Sequence, residues 1–290
     1  MGWVEDIGKA VSYIEKNITA ELTIDEIAKQ TLVSPFYFQK GFAILCDFTV
    51  GEYIRRRRLT LAGSELVSTD AKIIDIALKY GYDSPDSFTK AFSRFHGVTP
   101  TAVRRDGAMI KMFAPLKIKF SLEGGYIMDY KIVEKDSFTV VGVSGIFKYD
   151  SAAEEIPKFW TKHYQADADT IGGNYGICGM YGVSIDESME GNEFEYLIAD
   201  NYDPSAETPE GLATKIIPRH TWAVFACKGP MPVSLQDVNK KIFSEWLPNC
   251  KDYEIAAGYN IEMYSDCTDF ADGTQDENYY SEIWIPVKRK

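Results

Sequence analysis

Gln39 and Lys40, and Thr89 and Lys90, hold matched places in a stretch that occurs twice. Lysine, glutamine and threonine are side chains that hydrogen-bond base edges in a DNA groove. Residues 34–42 read Ser-Pro-Phe-Tyr-Phe-Gln-Lys-Gly-Phe, and residues 84–92 read Ser-Pro-Asp-Ser-Phe-Thr-Lys-Ala-Phe, at an offset of 50. Ser34/Ser84, Pro35/Pro85, Phe38/Phe88, Lys40/Lys90, Phe42/Phe92 and Thr49/Thr99 are identical at that offset. Far down the chain stands a second chemical feature, Glu282 alternating with Tyr280 and Trp284. A carboxylate flanked by aromatic rings suits an organic cation, through charge and through cation–π attraction of ~0.5–2 kcal/mol.

The repeat needs helices to position it. Serine followed by proline starts a helix: the hydroxyl caps an open N–H, and proline fits the first turn. Phenylalanines four apart share one face. The opposite face carries Phe36, Gln39, Lys40 and Ala43 in the first copy, and Asp86, Thr89, Lys90 and Ser93 in the second, with Ser87 beside them. Either helix alone reads equally as an ordinary amphipathic helix. A helix precedes each copy, however: Thr23-Ile-Asp-Glu26 is a capping box leading into Ile27-Ala28, and Lys72 to Ala77 leads into the second copy. Two helix-turn-helix units in about a hundred residues is a specific pattern.

Residues 5–105 resemble the AraC/XylS DNA-binding domain. The resemblance is carried by Ile27-Ala28, the stretch from Ser34 to Phe42, Tyr53-Ile-Arg-Arg-Arg-Arg-Leu59, the run from Ile76 to Phe92, and Gly97-Val-Thr-Pro100. It implies two recognition helices joined by one long helix and placed in successive major grooves by a single subunit. Base-reading positions are then Phe36, Gln39, Lys40, Asp86, Ser87, Thr89 and Lys90. Phosphate contacts are Ser34, Arg55, Arg57, Ser84 and Arg104. Four consecutive arginines span most of a helix circumference, so they cannot all face one partner. For Arg104, the alternative is a dipole-favourable pair with Arg105 at a helix end.

Composition sets bounds on this reading. The 290 residues are 45% hydrophobic and 13% aromatic, enough for one or two cores. The acidic start has no apolar run behind it, and no stretch has the length of a membrane span. Five scattered cysteines without a C-x-x-C fit reduced thiols in a cytoplasm. The net charge of −12 is unevenly placed: residues 1–110 carry 14 basic and 14 acidic side chains, so all the excess acid lies beyond them. His96, His163 and His220 are isolated, and no metal or cofactor is expected. Gly172, Gly173 and Gly176 lack the context of a phosphate loop.

After a connector at 109–126, ending Glu123-Gly124-Gly125, helical periodicity gives way to strands. The expected domains are therefore 1–108, all-α and DNA-binding, and 127–290, α+β. The second is internally doubled. Thr139 to Val143, a helix near Ala153 to Tyr164, Met180 to Ser184 and Phe194 to Ala199 are answered by Thr221 to Phe225, a helix near Leu235 to Trp246, Tyr259 to Tyr264 and Ser281 to Val287. Glu195 and Glu282 then occupy equivalent places, and a pseudo-twofold pair would leave a groove for a ligand.

This half resembles the GyrI-like effector-binding domain, on Trp222-Ala-Val-Phe225, Lys228-Gly-Pro230, the run from Ile242 to Pro248, and Glu282-Ile-Trp-Ile-Pro-Val287. The departure is Asn239, where the family often has tryptophan. The resemblance implies that Glu282 is the ligand-binding acid. Around it Tyr280, Trp284, Trp222, Tyr181, Phe147 and Trp160 are candidate walls, with Glu195 across the groove. Each has a plainer reading as core, or, for the two glutamates, as solvated surface.

The chain therefore reads as a cytoplasmic, effector-coupled transcriptional regulator, an activator binding duplex DNA as a monomer. Its expected partners are double-stranded DNA, RNA polymerase and a small aromatic or cationic effector, with no membrane. Two rivals stand beside this. A Glu282/tyrosine pair could make the second domain a hydrolase, or its acidic surface could sequester a protein.

Overall fold

The computed structural model describes residues 3–31, 33–117, 128–165, 179–186, 193–202, 205, 208 and 210–290. The end of the connector with Glu123-Gly124-Gly125, and the loop with Gly172, Gly173 and Gly176, lie outside the described residues.

Seven helices form the first domain: α1 (Trp3–Lys16), α2 (Ile24–Ala28), α3 (Pro35–Cys46), α4 (Val50–Ser68), α5 (Ile73–Lys79), α6 (Pro85–His96) and α7 (Pro100–Asp106). Their starts follow the residue chemistry. Thr23 and Glu26 close a capping box, and the hydroxyls of Ser34, Thr49, Ser84 and Thr99 accept from Tyr37, Glu52, Ser87 and Ala102 N–H groups. The repeat extends to the helix ends. Asp47 and Gly97, 50 apart, are both left-handed C-caps, with φ of 58° and 81°. α2 ends at Ala28, where the Thr31 hydroxyl donates to the Ala28 carbonyl at 2.7 Å and closes the turn. Gly81, just past α5, has φ +80°, and a Cβ there would meet Arg58 Nη1 at 2.5 Å.

The 19-residue α4 spans about 28 Å and holds the two units apart. Its four arginines diverge. Arg55 is exposed, 4.0 Å from Glu52. Arg56 pairs with Glu52 and lies 5.4 Å over the Phe113 ring. Arg58 donates to the Ile18 and Ala20 carbonyls. Arg57 is buried, forked onto Glu15 at 2.8 and 2.9 Å, and donates to the Phe113 carbonyl. Arg57 is thus no phosphate contact but an internal strut, because its fork is fully spent on α1 and the connector.

The second domain runs β1 (Tyr130–Lys135), β2 (Phe138–Lys148), α8 (Tyr149–Gln165), β3 (Tyr181–Ile185), β4 (Glu193–Asn201), β5 (Ala213–Ile217), β6 (His220–Lys228), α9 (Val233–Lys241), β7 (Tyr253–Ile255), β8 (Tyr259–Tyr264) and β9 (Tyr280–Arg289). A π-turn at Ile242–Trp246 continues α9. The strands make one antiparallel sheet, ordered β1-β6-β9-β8-β3-β4-β2-β5, with β7 on the end of β9. That order is symmetric about the β8–β3 junction. Val183 pairs with Ile261 at its centre, and Glu195 opposite Ile185 corresponds to Glu282 opposite Met263. The architecture is therefore a double helix-turn-helix followed by a pseudo-twofold α+β domain.

Strand alternation gives the sheet two faces. One packs Val183, Leu197, Trp222, Val224, Ile261 and Trp284 together with residues of both edge strands. The other carries the helices: α8 over Phe147, Phe194, Tyr196 and Ile198, and α9 over Phe225, Ile283 and Ile285. The core under α9 continues without a break into the first unit, through Phe36, Tyr37, Phe38, Phe42 and Tyr53. The second unit keeps a core of its own, from Leu59 and Leu66 to Phe88, Phe92 and Val103.

Arg57→Ala should lower stability by about 3 kcal/mol in chemical denaturation, because it strands Glu15 beside a lost strut. Arg55→Ala should change it by less than ~0.5 kcal/mol. An unchanged denaturation midpoint for Arg57→Ala would return that guanidinium to the phosphate-contact role.

Candidate DNA-reading helices and effector groove

α6 buries Phe88 and Phe92 and turns the opposite face outward. Asp86, Ser87 and Lys90 are exposed on that face, and Thr89 is half-buried. The Ser84 hydroxyl accepts from Ser87 N–H and sits 3.1 Å from Ser87 Oγ, so both serines are engaged in the cap. Arg104 is half-buried and points Nη2 at the Thr69 carbonyl at the end of α4. Arg104 also stands with Arg105 in the last turn of α7, so its guanidinium lies near the ends of two helices.

α3 differs. Phe36, expected to read bases, is 1% exposed, and its ring lies 5.9 Å from Tyr149 and 6.2 Å from Phe194. Tyr37 donates its hydroxyl proton to the Tyr259 carbonyl. Gln39 is buried, and its Nε2 has no hydrogen-bond partner among the described residues. Lys40 donates to Asn260 Oδ1. Burial pushes the Lys40 ammonium's pKa down, and attraction to Glu262 partly offsets that. The Ser34 hydroxyl is taken up by its cap. Phe36, Gln39 and Lys40 are therefore not available to DNA in this conformation, because the second domain covers the face they share.

The eight residues expected around the ligand separate onto the two faces of the sheet. Glu282, Trp284, Tyr280, Trp222, Tyr181 and Glu195 lie on the face away from the helices. Phe147 and Trp160 lie on the helix side, with Tyr196. Glu282 is 6% exposed and saturated: Tyr280 donates at 2.7 Å, Trp284 Nε1 at 2.6 Å and Lys131 at 3.3 Å. Burial works to raise its pKa, but the three donors prevail and hold it below the usual carboxylate value. Lys135 sits 4.1 Å over the Trp284 ring, and Lys215 bonds Glu195 at 2.6 Å. The cations at these two acids are thus the chain's own edge-strand lysines. Trp222 is fully buried, and the Tyr181 ring lies 6.1 Å from Trp284.

A different carboxylate floors the helix side. Glu262 of β8 accepts from Tyr264 at 2.8 Å and faces the Tyr196 hydroxyl at 3.4 Å. Trp160 Nε1 of α8 donates to that Tyr196 oxygen at 2.8 Å, and the Trp160 ring meets Tyr264 edge-on at 5.4 Å. Gly182 of β3 leaves the space: a Cβ there would come within 2.3 Å of the Tyr196 oxygen and 3.1 Å of Glu262. A carboxylate with two tyrosines and a tryptophan, between α8 on one side and α9 with its π-turn on the other, is the combination of groups that suits an organic cation. Glu262 is not among the residues expected from the sequence. Its signal was the alternation Asn260-Glu262-Tyr264, polar residues on the same face of a central strand.

Comparison with known proteins agrees with both halves. The family profile described as integron-associated effector binding protein matches residues 131–287, and a helix-turn-helix domain profile matches residues 27–106. The HTH-type transcriptional activator AarP of Providencia stuartii is 40% identical over 98 residues, covering 34% of this chain and 73% of that protein. The right origin-binding protein of Escherichia coli is 24% identical over 286 residues, 96% of both chains. Among solved structures, SAV2435 bound to tetraphenylphosphonium matches with 24% identity and a TM-score of 0.45, covering 56% of this chain and 94% of that one.

Glu282→Gln should destabilise the second domain at neutral pH by roughly 1–3 kcal/mol, since an amide cannot accept from all three donors. Because the folded carboxyl titrates below its ordinary value, its stabilisation is present above about pH 4.5 and is lost as pH falls through the folded value. Denaturation midpoints of wild type and variant should therefore converge on acidification from pH 7 toward pH 3. A gap independent of pH would mean that Glu282 acts through packing and not through its charge.

Proposed function

The chain belongs to the AraC-type helix-turn-helix regulators over its first part and to the integron-associated effector binding proteins over its second, and from that premise we propose that it switches transcription in response to an aromatic organic cation. The observation that carries the proposal is the joining of two devices in one chain: a capped helix with an exposed Lys90 face, and a groove floored by Glu262 among aromatic rings.

In this reading α6, and α3 when uncovered, enter successive major grooves of duplex DNA, with α4 setting their separation. One subunit supplies both helices, so the DNA-bound form is a monomer. Arg55, exposed on α4, supplies a phosphate contact. The protein acts as an activator with RNA polymerase as its further partner, and it works in the cytoplasm. Among the described residues no helix is long and apolar enough to cross a membrane.

The effector is bound and not turned over. The Tyr280–Glu282 pair at 2.7 Å is the contact a hydrolase would use. A carboxylate already held by Trp284 and Lys131, with its pKa pulled down, is a poor general base. The Glu262 groove suits binding, because its tyrosines and tryptophan offer ring faces and edges for a delocalised cation.

Selection from random duplex DNA by the full-length protein should enrich a base block that is lost in Lys90→Ala. The variant's affinity for the selected site should fall about 10-fold or more, with non-specific affinity little changed. Equal loss on both would reduce Lys90 to a phosphate contact. In parallel, titration with tetraphenylphosphonium should give a binding isotherm that Glu262→Gln weakens and Glu282→Gln leaves in place. The reverse order would return the ligand to the other face.

A further inference from the structure

Positions 36, 37, 39 and 40 of α3 correspond to 86, 87, 89 and 90 of α6. On α6 they look outward, but on α3 they are pressed into the second domain. The seat of α3 is specific. Phe36 packs edge-on against Tyr149, the first residue of α8, and Phe194 of β4, two rings that stack on each other at 4.9 Å. Tyr37 reaches β8 at Tyr259 and lies 6.4 Å from Phe243 in the π-turn. Lys40 reaches Asn260, two residues from Glu262 on the same strand face. α3 therefore lies along β8, in the groove between α8 and α9.

The chemistry of the occupant is as telling as its place. Phe36 and Lys40 are four apart, so one helix face offers an aromatic ring and an ammonium together. That is the chemistry the groove itself selects, a ring among Tyr149 and Phe194 and a cation beside Glu262. Asn260 is fully buried, and its Nδ2 has no hydrogen-bond partner among the described residues, so its hold on Lys40 is only half satisfied.

We propose that α3 is a resident ligand of the effector groove, and that an aromatic cation displaces Phe36 and Lys40 together and thereby releases the first recognition helix to DNA. This rests on the reading of the groove and of α3 given above. Effector binding and the engagement of a second groove by α3 both require α3 to leave, so each favours the other, and the coupling between effector and two-groove binding is positive and reciprocal. Without effector the chain reads DNA through α6 alone.

The test uses the full chain and two substitutions of opposite effect. Asn260→Asp places a carboxylate against Lys40 and should hold α3 down. Asn260→Lys places a like charge there and should expel it. Wild type without ligand should select one base block from random duplex DNA. Tetraphenylphosphonium should add a second block, one helical turn away, and tighten binding about 10-fold. Asn260→Lys should show both effects without the cation, after correction for its affinity to non-specific duplex, and Asn260→Asp should resist the cation. A circular-dichroism melt checks that each variant folds. Tyr149→Ala, which removes a ring from Phe36, replaces Asn260→Lys if that variant does not fold. Two blocks already present in ligand-free wild type, or one unchanged block in every protein with and without the cation, would overturn the masking while leaving regulation through α6 intact. No motif from any protein and no cation binding would overturn the masking and the underlying functional reading together.

Discussion

One face of one helix cannot be buried and read DNA at the same time, and the arrangement of this molecule turns on that exclusion. α3 places Phe36 and Tyr37 in a core shared by the two domains. Fully burying a side chain such as phenylalanine is worth roughly 1.5–3 kcal/mol. Against that stands Lys40, whose ammonium is drawn from water for one hydrogen bond and a nearby carboxylate. The apolar contacts hold the helix down, and the lysine makes the hold conditional on what else can satisfy Glu262 and Asn260.

The sheet makes that seat possible through small features at its centre. Gly182 on β3 leaves room for the Tyr196 hydroxyl, which Trp160 fixes from α8 and which in turn faces Glu262. The pseudo-twofold places Asn260 opposite Ser184, and Glu262 opposite Gly182, at the junction of the two halves. No side chain from β3 competes with Glu262 there. The opposite face is treated differently. There Glu195 and Glu282, related by the same symmetry, each receive a lysine from an edge strand, Lys215 from β5 and Lys131 from β1. Those acids close the fold at its margins and leave the central acid to the groove.

Much of this was legible in the residues. Serine–proline starts, capping boxes and the Phe–x₃–Phe spacing located α2, α3 and α6, since these are local signals and do not depend on the rest of the chain. The doubling of the second domain was legible for the same reason. Which acid faces the helices was not. Tyr280-Glu282-Trp284 and Asn260-Glu262-Tyr264 are both polar alternations beside aromatics, and a strand's sequence does not say which of its faces the helices will cover. Arg57 misled in a similar way. Among four arginines, only the position of α1 decides which one meets Glu15. The burial of α3 was beyond reach altogether, because it depends on a contact between residues some 220 positions apart.

The distribution of charge gives the last step. All of the chain's excess acid lies after residue 110, in the domain that covers the helix we propose to meet phosphate and base edges. The groove presents to α3 a hydrogen-bond acceptor and a carboxylate, much as a DNA groove presents acceptor atoms beside a line of negative charge. In the proposed switch Lys40 exchanges one acceptor-rich surface for another, and its burial in the covered state, only partly offset by Glu262, works against the apolar contacts that hold α3. Such a balance keeps the two states close in energy, which a switch requires, since moving an equilibrium from 1:99 to 99:1 takes about 5.5 kcal/mol of differential binding. A single small cation can supply that only if it replaces most of what α3 contributes. A ring and a positive charge held together match the two groups, Phe36 and Lys40, that it would replace.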